Sequence, residues 1–169
     1  DQNSYFNSFF LINKNTYQKF DKKILVPFGE FIPLRKVFKL MEFIAGIVDF
    51  TKGTDQRLLK LNSGITILPV ICYEMIYFWK LLNLDNKNAN LIVNLTNDSW
   101  FGNFSGPYQH FYFSKLRAAE FNRMIFRVSN NGISGFIDRY GKVINNTNLN
   151  ERVINNFEVT FQNPEHNYM

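Results

Sequence analysis

The segment Ile65-Thr66-Ile67-Leu68-Pro69-Val70-Ile71-Cys72-Tyr73-Glu74 decides the fold of this chain. Its apolar run, rich in β-branched residues, predicts a buried strand that ends at Ile71. In open α/β sheets, ligands bind just beyond the carboxyl ends of such strands. Cys72 stands at that point and is the only cysteine in the sequence, which makes it a candidate nucleophile. The alternative is that Cys72 is a small buried hydrophobe.

A second segment, residues 22–30, reads Lys-Lys-Ile-Leu-Val-Pro-Phe-Gly-Glu. It brings a lysine, a short predicted strand, a Pro/Gly break and a carboxylate into close succession. Lysine and glutamate are seldom buried without partners, so the two ends of this segment are candidates for an ion pair. The Lys22 ammonium could stabilise the oxyanion of a thioester-forming cysteine, and Glu30 could hold that ammonium. The alternative for Glu30 is a surface carboxylate after a glycine turn.

The rest of the chain predicts a mixed-sheet α/β fold, because strand-like runs alternate with a helix and then a hairpin. Pro107 suits the first turn of a helix, where its missing N–H is no loss, and that helix is predicted to continue to about Arg123. On this helix, Arg117 and Glu120 could form an ion pair or support the site from behind. The predicted strands after Ile71 are residues 89–95, 125–129, 133–139 and 153–159.

Residues 34–48 predict an amphipathic helix. Its apolar positions recur at helical spacing and are Leu34, Val37, Phe38, Met41, Ile44 and Val48. One interpretation is a helix packed on the core of its own domain. The other is a helix that lies on an anionic membrane surface, because basic residues surround the apolar face.

The composition excludes several classes of function. The net charge is +5, yet the basic residues form no cluster with a recognised nucleic-acid-binding motif, so no nucleic acid partner is predicted. No run is long and apolar enough for a membrane span. His110 has no second histidine or cysteine nearby, so neither a metal site nor a cofactor is predicted. A capping or core role is the plainer interpretation of His110.

Five motifs, in this order, resemble the nitrilase (carbon-nitrogen hydrolase) superfamily and, within it, the apolipoprotein N-acyltransferase family. Several ordered motifs are far more specific than any one alone. The resemblance runs from roughly Tyr5 to Val159. The motifs are Leu-Val-Pro-Phe-Gly-Glu-Phe-Ile-Pro at 25–33, Ile-Cys-Tyr-Glu at 71–74, Asn-Asp-Ser-Trp-Phe-Gly at 97–102, Gly-Pro-Tyr-Gln-His at 106–110 and Ser-Asn-Asn-Gly-Ile at 129–133.

The resemblance implies a nitrilase-like αββα sandwich in partial form. Residues 1–160 are expected to be the C-terminal part of the carbon-nitrogen hydrolase domain, without its leading strands and first catalytic segment. Residues 161–169 are expected to be a polar tail that leads toward a membrane helix. The superfamily uses a Glu-Lys-Cys triad whose glutamate precedes the lysine motif, and no counterpart of that Trp-Pro-Glu-like segment occurs here. These residues alone are therefore expected to be inactive.

The resemblance also implies a reaction and a set of roles. The family acylates the N-terminal diacylglyceryl-cysteine of apolipoproteins at the bacterial inner membrane, with its catalytic domain facing the periplasm and a phospholipid as acyl donor. Cys72 would carry the acyl group as a thioester, while Lys22 and the backbone N–H of Tyr73 would stabilise the oxyanion and Glu30 would orient Lys22. Tyr73 and Glu74 would shape the substrate pocket or simply pack. The alternatives are a soluble nitrilase-type amidase and a truncated, non-catalytic remnant.

Overall fold

The computed structural model describes residues 4–33, 49–81 and 88–160. The chain forms two compact units, Asp1–Gln56 and Arg57–Met169. The predicted amphipathic helix at 34–48 and the predicted polar tail at 161–169 lie outside the described residues.

The first unit contains an antiparallel hairpin. Strand β1, Ser8–Asn13, pairs with β2, Thr16–Asp21, so that Ser8 lies opposite Asp21 and Asn13 lies opposite Thr16. The tight turn between the strands places Lys14 in the left-handed region, at φ 43°. Phe9 and Phe20, which are paired across the hairpin, are both buried.

The predicted strand between Lys22 and Pro27 is wrong, because these residues form a loop. The backbone carbonyl of Val26 accepts hydrogen bonds from the N–H groups of Gly29 and Glu30, at 3.2 and 2.8 Å. The N–H of Val26 donates to the carboxylate of Glu30 at 2.8 Å. The polar groups of Val26 therefore close a local turn in place of a strand ladder, and only an isolated bridge joins Pro27 to Phe31.

The second unit is built on a mixed sheet that has six strands among the described residues, in the order β3-β4-β5-β6-β7-β8. The central strands β4, β5 and β6 are parallel, and the outer pairs are antiparallel. The strands are β3 Leu59–Lys60, β4 Thr66–Ile71, β5 Leu91–Thr96, β6 Met124–Ser129, β7 Gly135–Ile137 and β8 Val143–Asn146. Buried apolar side chains of β4, β5 and β6 supply much of the core.

Two α-helices lie in the described part of this unit, the short α1, Phe78–Leu81, and the long α2, Ser105–Phe121. Pro107 lies in the first turn of α2, as predicted, and the helix ends two residues before the predicted Arg123. Its buried face includes Phe111, Ala118 and Phe121, which belong to the core cluster beneath the sheet. It ends where Asn122 adopts a left-handed conformation and donates its N–H to the carbonyls of Ala118 and Ala119.

The predicted strand at 153–159 is also wrong. These residues make no ladder, and Ile154 is 92% exposed. Phe157 instead packs on the stacked rings of Phe126 and Phe136, with ring centroids 5.9 and 5.2 Å away. This segment therefore attaches to the sheet through a side chain and not through its backbone.

Within the described ranges, no helix has both the length and the apolar character that crossing a bilayer requires.

Candidate active site

The carboxyl ends of the three parallel strands meet at one edge of the sheet. Ile71 of β4 is paired with Leu95 of β5, and Thr96 of β5 is paired with Ser129 of β6. Cys72 follows β4 directly, and residues 97 and 98 follow β5. This edge is where open α/β sheets bind ligands, so the candidate site lies here.

Cys72 occupies a sharp elbow between β4 and a 3₁₀ helix, Cys72–Ile76. Its φ is 52°, in the left-handed region that a residue with a Cβ seldom adopts. The thiol is half-buried, and Sγ lies 3.8 Å from the carbonyl oxygen of Asn97 at the end of β5. Such conformations cost free energy and cluster at functional sites, where the surrounding structure enforces them.

A buried ion pair braces this elbow. Glu74 is completely buried, and its two carboxylate oxygens accept hydrogen bonds from the Arg57 guanidinium at 2.8 and 3.0 Å. Glu74 also accepts the N–H of Ile71 at 2.9 Å, and Arg57 donates to the carbonyl of Pro69 at 3.0 Å. The pair thus joins the last residues of β4 to the 3₁₀ helix that follows the strand. The full burial and pairing of the Glu74 carboxylate fit the packing alternative, and a part for Glu74 in shaping the substrate pocket stays a prediction.

We expect Arg57→Met to lower the free energy of unfolding by about 3–5 kcal/mol, because it leaves the buried Glu74 carboxylate without its cation. Urea unfolding followed by circular dichroism measures this loss. Lys142→Met, which removes an exposed cation, is the control and should unfold close to wild type. A loss equally small in both variants would mean that the pair does not hold the elbow.

A second buried network lies below the site and centres on Asp98. Its Oδ1 is 2.8 Å from Nδ1 of His110, and its Oδ2 accepts a hydrogen bond from Arg127 at 2.7 Å. The hydroxyls of Thr96 and Ser129 donate to the same carboxylate at 3.2 and 3.1 Å. Asp98, His110 and Arg127 are all buried. They come from the end of β5, from α2 and from β6, so the network fastens three elements together.

Arg127 extends this network into the sheet. It donates to the side-chain oxygen of Asn94 at 2.6 Å, and Asn94 in turn donates to the carbonyl of Val70 at 3.0 Å. It also donates to the carbonyl of Ile133 at 3.1 Å. Gly132 packs so tightly on Asp98 that a Cβ there would collide with the carboxylate. The loop after β6 therefore needs glycine at this position to close over the network.

The network shifts the pKa values of its members. Burial by itself would raise the pKa of Asp98, but the hydrogen bond from His110 and the charge of Arg127 outweigh burial and lower that pKa to about 2. Burial lowers the pKa of His110, and the charge of Arg127 acts in the same direction against the opposing effect of Asp98. Asp98 is therefore ionised at neutral pH, and the folded state resists protonation of His110.

The free energy of unfolding is expected to fall as the pH is lowered from about 7 to about 2. The pKa of His110 in the folded state lies below its ordinary 6.5, so the unfolded chain takes up the proton first and stability falls as pH drops through that value. The contribution of Asp98 is present above 3.8 and is lost toward 2. That shift corresponds to about 2 kcal/mol.

Urea unfolding at a series of pH values measures this profile. His110→Gln is the control: it should flatten the upper part of the profile, where histidine titrates, and reduce the fall toward pH 2, because the imidazole that helps to lower the pKa of Asp98 is gone. An upper part that is unchanged in His110→Gln would assign that titration to another group.

In the first unit, the structure brings Lys22 and Glu30 together. The Lys22 side chain is 1% exposed, and its Nζ lies 2.7 Å from each carboxylate oxygen of Glu30. Glu30 also accepts hydrogen bonds from the side chain of Asn7 at 3.0 Å and from the N–H of Val26 at 2.8 Å. The turn around Val26 therefore fixes the Glu30 carboxylate, and that carboxylate fixes the Lys22 ammonium. The catalytic roles of both residues stay predictions.

Tyr73 lies among aromatic rings in the second unit. Its ring centroid is 5.8 Å from that of Tyr77, 6.4 Å from that of Phe101 and 6.1 Å from that of His110. The ring is half-buried, so it is packed on one side and open to solvent on another. Both predicted roles of Tyr73, pocket wall and packing residue, are compatible with this position.

On the opposite side of the elbow, Arg117 of α2 is buried. Its Nη1 lies 3.5 Å from the carbonyls of Met75 and Ile76, at the end of the 3₁₀ helix, and its Nη2 forms an ion pair with Glu120 at 2.6 Å. The predicted ion pair is confirmed. Arg117 thereby supports the helix that follows Cys72 from behind.

Residues 1–162 match the carbon-nitrogen hydrolase family. The chain belongs to this family. Its fold agrees, because the chain resembles a CN-hydrolase superfamily protein of Xanthomonas campestris with a TM-score of 0.61 at 16% identity, over 86% of this chain and 54% of that one. The predicted α/β, nitrilase-like fold is confirmed.

Among carbon-nitrogen hydrolases, the chain is similar to proteins named apolipoprotein N-acyltransferase. It is 39% identical to that of Rickettsia typhi over 153 residues, which cover 89% of this chain and 31% of the relative. It is 38% identical to that of Allorhizobium ampelinum over 162 residues, covering 92% of this chain and 30% of the relative. The chain spans about a third of the length of these relatives.

Proposed function

We propose that this carbon-nitrogen hydrolase chain carries the nucleophile of an apolipoprotein N-acyltransferase. The observation that carries the proposal is the elbow of Cys72, where a thiol is held in a left-handed conformation at the carboxyl edge of the parallel strands. The names of its relatives support the acyltransferase branch of the family.

In the proposed reaction, the Cys72 thiolate attacks an ester carbonyl of a phospholipid. The new C–S bond gives a tetrahedral oxyanion, which collapses to a thioester as the lysophospholipid leaves with a proton. The free amine of a diacylglyceryl-cysteine then attacks the thioester, so an amide forms and the thiol is regenerated. The family resemblance assigns the two proton transfers to a glutamate ahead of the lysine motif.

Lys22 is proposed to stabilise the oxyanion, together with the backbone N–H of Tyr73. The buried pair of Lys22 and Glu30 supports this role, since both carboxylate oxygens contact the ammonium and limit its motion. An ammonium fixed before the reaction costs no reorganisation when charge develops in the transition state. Glu30 is thus proposed to orient Lys22. The proposal that Lys22 acts on the oxyanion formed at Cys72 rests on the family resemblance.

The proposed donor is a phospholipid and the proposed acceptor is a diacylated apolipoprotein. The corresponding location is the bacterial inner membrane with the catalytic domain facing the periplasm. The sequence of residues 34–48, which predicts an amphipathic helix, supports a proposed contact with the membrane surface.

An acyl-transfer experiment with the full-length protein tests the proposal. The protein is placed in vesicles whose phospholipid carries an isotope-labelled acyl chain, and the peptide containing Cys72 is analysed by mass spectrometry. We expect a labelled, hydroxylamine-sensitive adduct on Cys72. On addition of a diacylated lipopeptide with a free amine, the label should move to the lipopeptide as an amide.

The matched control is the same lipopeptide with its amine acetylated, which should leave the thioester in place. Labelled fatty acid released at equal rates with both lipopeptides would favour an amidase-like hydrolase, in which water resolves the thioester. A Cys72 peptide that gains no label from the phospholipid, and no acyl group when small amides are supplied instead, would favour a non-catalytic remnant.

A further inference from the structure

Asn7 contacts both members of the buried ion pair in the first unit. It comes directly before β1, and its backbone carbonyl accepts a hydrogen bond from the N–H of Lys22 at 2.8 Å. Its side-chain Nδ2 donates to Oε1 of Glu30 at 3.0 Å. A single residue therefore joins the backbone of the lysine to the carboxylate that holds its ammonium.

The register of the hairpin explains how Asn7 reaches both partners. The hairpin pairs Phe9 with Phe20, and the same register continued past the strand ends places Asn7 opposite Lys22. Side chains that lie opposite each other on antiparallel strands share a face, and positions two apart on one strand share it too. Phe9 and Phe20 are buried, so Asn7 and Lys22 extend the buried face of the hairpin.

The two oxygens of the Glu30 carboxylate are held by matching sets of donors. Each oxygen accepts a hydrogen bond from the Lys22 ammonium at 2.7 Å. Oε1 also accepts from Asn7 at 3.0 Å, and Oε2 accepts from the N–H of Val26 at 2.8 Å. These two neutral donors fix the plane of the carboxylate, and in this plane both oxygens face the ammonium. Val26 belongs to the same turn as Glu30, whereas Asn7 ties the carboxylate to the hairpin.

The backbone of Lys22 is held on both sides. Its N–H donates to Asn7, and its carbonyl accepts the N–H of Gly53 at 2.9 Å. A Cβ at Gly53 would lie 2.2 Å from the carbonyl oxygen of Asp21, so the two backbones approach each other more closely than any side chain allows. The base of the lysine is thus fixed by backbone contacts, and Glu30 fixes its far end.

We propose that Asn7 is a positioning residue that aligns the Glu30 carboxylate and so holds the Lys22 ammonium where it stabilises the oxyanion formed on Cys72. This inference rests on the proposed function, in which Lys22 stabilises that oxyanion. An ammonium that is already oriented needs no reorganisation when charge develops in the transition state. Loss of the Asn7 donor should therefore slow the reaction even though the charge of Lys22 remains.

The leucine variant Asn7→Leu removes the amide donor, nearly preserves the volume of the side chain and keeps the backbone bond to Lys22. Asn13→Leu is the matched control. Asn13 lies on the same face of β1 as Asn7 and is also half-buried, but it stands at the far end of the strand, opposite Thr16. The two variants therefore make the same chemical change at the two ends of one strand.

In the full-length protein, we expect Asn7→Leu to slow acylation of Cys72 by phospholipid about tenfold, with little change in KM for the donor. Asn13→Leu should react like wild type. Introduced into Lys22→Ala, Asn7→Leu should cause no further slowing, because effects that pass through one group are not additive. A purely structural role predicts the same fold loss with Lys22 present or absent.

Wild-type acylation by Asn7→Leu, or an equal fold loss with and without Lys22, would overturn the inference. A circular-dichroism melt of each variant shows whether it folds. Asn7→Asp keeps the shape of the side chain but places a carboxylate oxygen against Glu30, and it should slow acylation at least as much as Asn7→Leu. Wild-type acylation by a folded Asn7→Asp would overturn the inference as well.

Acetylation of Lys22 tests its positioning without any turnover. The full-length protein is treated briefly with acetic anhydride, and fragment-ion mass spectrometry separates Lys22 from Lys23, with the exposed Lys14 as reference. A buried ammonium held by Glu30 reacts only during local opening, so the ratio of Lys22 to Lys14 labelling should rise several-fold in Asn7→Leu and stay at the wild-type value in Asn13→Leu.

A labelling ratio that Asn7→Leu leaves unchanged would overturn the inference. Absence of acylation in wild type would instead count against the proposed function, and the labelling ratio would then decide whether Asn7 positions Lys22.

Discussion

Cys72→Ser is expected to abolish acyl transfer by the full-length protein. A serine hydroxyl stays protonated near neutral pH, whereas a thiol ionises far more readily and its thiolate is the stronger nucleophile. The two side chains are nearly isosteric, so the elbow should keep its conformation. Incubation with labelled phospholipid, followed by intact-mass analysis, should give an acyl adduct on the wild type and none on the variant.

A circular-dichroism melt that matches wild type would exclude unfolding as the cause of this loss. The assignment of Cys72 as nucleophile would be untenable if the serine variant turned over at the wild-type rate. A slow adduct on the introduced serine, with normal melting, would mean that the site activates any nucleophile at this position.

Lys22→Ala is expected to slow acylation by about a hundredfold or more, because it removes one preorganised oxyanion donor. KM for the phospholipid should change little, since the lost interaction forms only in the transition state. Lys23→Ala is the matched control, as it removes the neighbouring half-buried lysine and should stay near wild type. The reverse result would move the catalytic lysine to position 23.

Removing Lys22 also leaves the carboxylate of Glu30 without its ammonium, which could weaken folding. The double variant Lys22→Met with Glu30→Gln removes both charges and restores neutrality. An equally slow reaction in this variant, with a wild-type melt, would attribute the loss to catalysis. Recovery of the rate would attribute it to the unpaired carboxylate.

The sequence could predict the end of β4 and the position of Cys72, because that signal is local. A β-branched run that ends at a cysteine indicates both the strand and the edge where the cysteine lies. The strand predicted between Lys22 and Pro27 does not form, because the local turn that closes on Glu30 takes up the backbone groups that a strand ladder would need. The strand predicted at 153–159 failed because pairing with a sheet edge is a long-range event, and alternating apolar residues do not specify it.

The buried networks were missed for a related reason. Arg127 lies two residues after the core residue Ile125 on the same strand, so period-two alternation already places its side chain on the core face. A buried arginine requires an acceptor, and the Asp98 of the Asn-Asp-Ser-Trp motif is a candidate. Arg57 offers no such signal, because it lies outside any strand or helix and meets Glu74 only in the folded chain.

The left-handed conformation of Cys72 sets thermodynamic stability and chemistry against each other at one position. Glycine would relieve the backbone cost at φ 52°, yet it would remove the thiol. Selection for stability alone would therefore replace the residue on which the reaction depends. Two buried pairs, Arg57 with Glu74 and His110 with Asp98, lie around the elbow. Their stabilisation offsets the backbone cost at Cys72 and keeps a less stable but reactive residue in place.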